Sequence, residues 1–94
     1  MAIRVELQPG LRHLVGCERL EVQPDGGSMT VTELIRALAA ANPRFAGAVI
    51  ERDSEIDLAF LVSIDARLVH RGDYDTQRIG DGGVVELHMA LVGG

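Results

Sequence analysis

The chain has 94 residues, 47% of them hydrophobic but only 3% aromatic, with 11 glycines and a formal net charge of -5. A chain this short buries only about two-thirds of the surface that its unfolded form exposes, so it has room for one aliphatic core and not for a deep enclosed active site. Its nine basic residues, all arginine, are scattered, which excludes a stripe following a phosphate backbone; nucleic acid is not expected as a partner, and a protein with a basic docking surface is favoured.

The single cysteine, Cys17, excludes an internal disulfide, and no amino-terminal stretch combines a basic region, a long apolar segment and a cleavage site. Apolar runs such as Leu58 to Val62 fall far short of the roughly 20 residues of a spanning helix. A soluble, cytoplasmic protein without membrane association is expected. The complete absence of lysine has two readings: a genome that favours arginine codons, or a chain that gains by offering no amine to its own activated end.

Ile3, Val5 and Leu7 alternate with Arg4, Glu6 and Gln8, the period-two pattern of a strand with one buried face. Pro9-Gly10 is expected to end it, with Leu11 to Gly16 as a long hairpin connection into a second strand over Glu18 to Gln23. Pro24-Asp25-Gly26-Gly27 breaks the chain. Thr30-Val31-Thr32-Glu33 reads as a capping box, and Val31, Leu34, Ile35, Leu38 and Ala41 recur at spacings of three and four. A helix with one apolar stripe follows, stopped by Asn42-Pro43.

Arg44 to Ile50 suggests a short helical turn, and Glu51 to Glu55 a solvated loop rather than a paired-carboxylate site. Leu58 to Ile64 suits a central strand, with Phe60, Val62 and Ile64 on one face and Leu61 and Ser63 on the other. Asp65-Ala66-Arg67 reads as a tight turn into a short strand, Leu68 to His70, followed by an irregular polar stretch from Arg71 to Ile79. Gly80 to Gly83 turns the chain into a last strand over Val84 to Leu91, with Val85, Leu87 and Met89 opposite Glu86, His88 and Ala90. These elements predict an α+β fold with one helix on one face of a single sheet. The last strand is placed beside the first, in parallel, at the centre.

No catalytic constellation emerges. His13, His70 and His88 have no partners at zinc spacing, Cys17 reads as a small buried or half-buried hydrophobe rather than a nucleophile, and the internal glycine groups are turns rather than a nucleotide loop. If the far face of the sheet is open, Leu61 and Ala90 form an apolar patch with His88, which points to docking. The terminus remains. A chain-terminal carboxylate is an anion at neutral pH and needs activation before it can react. Two side-chain-free glycines let an extended tail thread a narrow channel in another enzyme.

The alternating "IRVEL", the capped "TVTELIRALAAANP", "LVSIDARLV", the "GDGGV" turn and the closing "ALVGG" resemble, in their order, the ubiquitin-like β-grasp sulfur carriers of the MoaD and ThiS type. The resemblance spans nearly the whole chain. It implies a mixed sheet of four to five strands with one main helix packed on one face, a domain over residues 1–92, and a flexible di-glycine terminus at 93–94 that needs no longer precursor.

In that family the terminal glycine is adenylated with ATP by an enzyme like the ubiquitin-activating adenylyltransferases, then converted to a thiocarboxylate that passes sulfur to a biosynthetic enzyme. Carried over by position, Gly94 holds the sulfur and Gly93 gives the tail its clearance; Val92 is expected to thread with it, and the open-face patch of Leu61, His88 and Ala90, with Leu91, is expected to dock the partner. The protein is then a carrier rather than an enzyme and binds no cofactor or metal of its own. Its length resembles carriers used in the synthesis of cysteine or sulfur-containing metabolites. Two alternatives stay open: the small subunit of a molybdopterin synthase, in which prolines usually precede the end where this chain reads Ala90-Leu91-Val92, and a ubiquitin-like interaction module or protein modifier.

Overall fold

The computed structural model describes residues 2–49 and 60–89. Ile3, Val5 and Leu7 are fully buried while Arg4 is exposed, so the alternation read in the sequence is the two-faced pleat of β1 (Ile3–Leu7). β1 pairs antiparallel with β2 (Arg19–Val22) on one side and parallel with β7 (Val84–Met89) on the other. β7 pairs antiparallel with β4 (Phe60–Ile64), which in turn pairs antiparallel with β5 (Arg67–Val69). The five-stranded order is β2-β1-β7-β4-β5, which puts the first and last strands side by side at the centre, as expected. This is the mixed sheet of a β-grasp.

The hairpin connection expected over Leu11 to Gly16 is a helix, α1 (Pro9–Val15). Pro9 occupies the first helical turn, where a missing N–H costs nothing and the fixed φ is already helical, so Pro9-Gly10 starts an element as well as ending β1. Leu11 and Val15, four residues apart, are buried. Gly16 ends α1 in the left-handed conformation (φ 89°). The Arg44 guanidinium donates to the carbonyls of Leu14 (3.1 Å) and His13 (3.4 Å), and a Cβ on Gly16 would collide with it.

A second two-stranded sheet, β3 (Ser28–Thr30) with β6 (Arg78–Gly80), was also not expected from the sequence. Three-residue strands beside glycines carry too little alternation to be read. Arg78 strengthens the pairing by donating to Ser28 Oγ (2.9 Å) and to the Ser28 carbonyl (3.1 Å).

The main helix is α2 (Val31–Ala41), and its capping box is present. The Glu33 N–H donates to Thr30 Oγ1 (3.1 Å) and the Thr30 N–H donates to Glu33 Oε1 (2.9 Å). Val31, Leu34, Ile35 and Leu38 are buried in one core with Ile3, Val5, Leu7, Val85 and Leu87. Ala41, expected on the same stripe, is exposed because it ends the last turn. Asn42 then accepts a hydrogen bond from the Phe45 N–H (3.1 Å) on its Oδ1, and α3 (Pro43–Val49) follows at once. The side-chain carbonyl of Asn42 thus serves as an amino-terminal cap for α3.

Asp65 (φ 48°) and Ala66 (φ 71°) both adopt left-handed backbone between β4 and β5, the two-residue turn whose twist matches a hairpin. The loop expected over Glu51 to Glu55, the start of the strand expected at Leu58, and the domain boundary at 92 lie outside the described residues. No helix among the described residues is long and apolar enough to cross a membrane.

Candidate functional site

The site is built around the strand that carries the chain towards its di-glycine end. β7 runs through the middle of the sheet, held by β1 on one edge and β4 on the other. Val85 and Leu87 are fully buried and fasten it to the core, with registers Val5↔Val85 and Leu7↔Leu87. Because β1 and β7 are parallel, both leave the sheet at one end. There the Gln8 N–H donates to the Leu87 carbonyl (3.0 Å), and the chain of β1 turns into α1. Met89, paired with Phe60, is the last described residue at that end.

Period-two geometry sends Glu86 and His88 to the face opposite the helices. Leu61 lies directly across from His88, and Ser63 across from both Glu86 and Leu68. The expected docking residues Leu61 and His88 are therefore neighbours on the outer face. Leu61 is 37% and Leu68 60% exposed; Leu68 was not singled out in the sequence because its short strand offered no way to tell its inner from its outer side.

Charged groups border this apolar strip. Gln8 Nε2 donates to Glu86 Oε2 (3.0 Å), and Glu6 takes Arg4 and Arg19 at 3.6 Å each. These pairs are partly solvated and add little stability. The remaining expected site residues, Ala90, Leu91, Val92, Gly93 and Gly94, lie outside the described residues.

Nothing among the described residues forms a metal cluster. His13 lies on α1 and His70 just beyond β5, and both are exposed. Cys17 is half-buried, packed against the core, and borders a surface hollow of about 600 Å³ with Arg12, His13 and Glu18. Of the perturbed groups, Glu33 is held below the ordinary carboxylate range by its hydrogen bonds with Thr30. Burial raises the Tyr74 hydroxyl against the opposing charge of Arg71. Both belong to structural contacts rather than to a reaction centre.

No family model and no curated protein matches the sequence. Solved structures do match. Small archaeal modifier protein 1 of Haloferax volcanii shares 21% identity over 96% of this chain and 98% of its own, with a TM-score of 0.79. A putative molybdopterin converting factor, subunit 1, from Pyrococcus furiosus shares 21% over 97% and 99%, at 0.72. A chain of the Amycolatopsis orientalis BexX/CysO complex shares 20% over 99% and 100%, at 0.71. These likenesses establish the ubiquitin-like β-grasp fold.

Proposed function

We propose that this β-grasp domain is a sulfur carrier: Gly94 is adenylated at the expense of ATP by a ubiquitin-activating-type adenylyltransferase, converted to a thiocarboxylate, and presented to a sulfur-accepting biosynthetic enzyme in the cytoplasm. The observation that carries the reading is the position of β7. A tail that must be pushed into a partner's active site needs a rigid base, and here it follows the best-anchored strand of the sheet, six residues long and paired on both edges. Gly93 and Val92 give the tail its clearance, and the strip of Leu61, His88 and Leu68 receives the partner, with Ala90 and Leu91 proposed to take part in docking. The protein supplies a carboxyl group and a docking face. The activating enzyme supplies the chemistry, so this chain needs no metal or cofactor.

The sulfur acceptor is read as an enzyme making a sulfur-containing metabolite, a cofactor or cysteine. The likeness to a chain of the BexX/CysO complex supports a carrier that works bound to a biosynthetic partner. The likeness to a molybdopterin converting factor subunit supports, as a second reading, the small subunit of a molybdopterin synthase, although the stretch before the glycines lacks proline. Removing Gly93 and Gly94 separates carrier from adaptor. A carrier loses all sulfur transfer while keeping its Tm; an adaptor that works through its sheet face keeps its partner and its activity.

A further inference from the structure

The formal charge of -5 is an average, and the hollow beside α1 departs from it. Pro9, Arg12, His13 and Gly16 stand at i, i+3, i+4 and i+7 and so share one side of that helix and its cap. With Cys17, Glu18 and Arg44 they bound a surface hollow of about 600 Å³.

Two guanidiniums are fixed at its wall. Arg12 Nε donates to the Leu7 carbonyl, and Arg44 donates to the carbonyls of Leu14 (3.1 Å) and His13 (3.4 Å). Gly16, having no Cβ, leaves the room that the Arg44 guanidinium occupies. These bonds use only part of the five N–H donors that each guanidinium carries. Glu18 is the one carboxylate among the residues that bound the hollow, and among the described residues no carboxylate pairs with Arg12, His13 or Arg44.

We propose that this hollow receives an acidic segment of a partner protein, an extended stretch bearing two or more Asp or Glu side chains. A guanidinium already held by backbone carbonyls loses little freedom when a carboxylate joins it, and its planar fork matches the carboxylate in shape. Basic groups spread along a helix about 10 Å long suit successive side chains of an extended segment. A small anion is better served by donors that converge on one point. Because the rest of the chain carries net negative charge, an acidic segment is repelled elsewhere and settles here, which fixes the orientation of docking. The Gln8 N–H donates to the Leu87 carbonyl where α1 begins, so a protein seated at that end of β7 meets the hollow. That this protein is the one that takes sulfur to or from the chain rests on the function proposed above.

The test follows the isotope-labelled full chain by amide NMR at low salt while a hexaglutamate peptide with blocked ends is added, with hexalysine and inorganic phosphate in parallel. Hexaglutamate is expected to shift the amides of residues 12 to 18 and the Nε–H signals of Arg12 and Arg44, and to bind more weakly as sodium chloride is raised. Hexalysine and phosphate at the same concentration should leave those signals in place. His13 is exposed, so its charge can be changed without touching the core. His13→Glu should weaken hexaglutamate binding about threefold or more, and His13→Arg should strengthen it. The proposal is overturned if hexaglutamate leaves the hollow's signals unmoved, if the two His13 variants bind it alike, or if phosphate binds as tightly, the mark of a small-anion subsite. No activating enzyme takes part, so the outcome stands apart from whether the chain is loaded with sulfur.

Discussion

At the residue scale, the stability of α2 is tied to two side chains. Thr30 satisfies the Glu33 N–H and Glu33 satisfies the Thr30 N–H, so Thr30→Ala is expected to cost about 1 kcal/mol, read from denaturant midpoints at unchanged slope. Glu33 has its pKa lowered in the fold. Its contribution is therefore fully present above the ordinary glutamate value and is lost as pH falls through the lowered one. Glu33→Gln, which keeps the box, should match wild type in acid and diverge from it towards neutral pH; a constant difference across that range would contradict the linkage.

The same scale shows what one residue conceals. Thr30 to Glu33 was legible because a capping box is a local pattern, whereas Ala66 gave no sign of its left-handed backbone (φ 71°). Only glycine adopts that region freely. Ala66→Gly is expected to raise stability by about 1 kcal/mol, measured by thermal unfolding. A lower Tm would mean that the greater freedom of glycine in the unfolded chain outweighs the relief.

At the element scale, legibility follows length and periodicity. β1, α2 and β7 repeat their apolar positions often enough to declare both type and buried face, and their buried residues are those the alternation selects. α1 was misread because Pro9-Gly10 is breaker chemistry in isolation, and its seven residues bury only Leu11 and Val15. β3 and β6 exist through pairing with each other across fifty residues, which no local window contains. The same limit hid Leu68, whose outward side is set by its register with Ser63.

The outer face of β7, β4 and β5 makes an element-scale prediction. Leu61 is part-exposed there and absent from the core. Leu61→Arg should shift stability by no more than about 0.5 kcal/mol and yet slow sulfur loading by about tenfold or more, as expected for an apolar residue at the centre of a docking patch. Equal loading rates for wild type and variant in a single-turnover assay would remove this face from the interface.

At the scale of the whole molecule, the parallel pair of first and last strands organises everything else. It closes the sheet around a core shared with α2, puts α1 beside the end of β7, and, among the described residues, leaves one sheet face without helices. The fold was legible because that pair follows from two alternating strands separated by a capped helix. The expected working end, Gly93-Gly94, rests on the glycines and the resemblance alone and lies outside the described residues.

The central claim is that Gly94 accepts sulfur. The direct measurement is the intact mass of the full chain after incubation with ATP, a sulfur donor and an activating enzyme of the ubiquitin-activating type encoded in the same genome. A mass gain equal to replacement of one oxygen by sulfur, lost when Gly94 is deleted, is the predicted result. An unchanged mass across each such enzyme, with the chain folded and ATP present, would contradict the account.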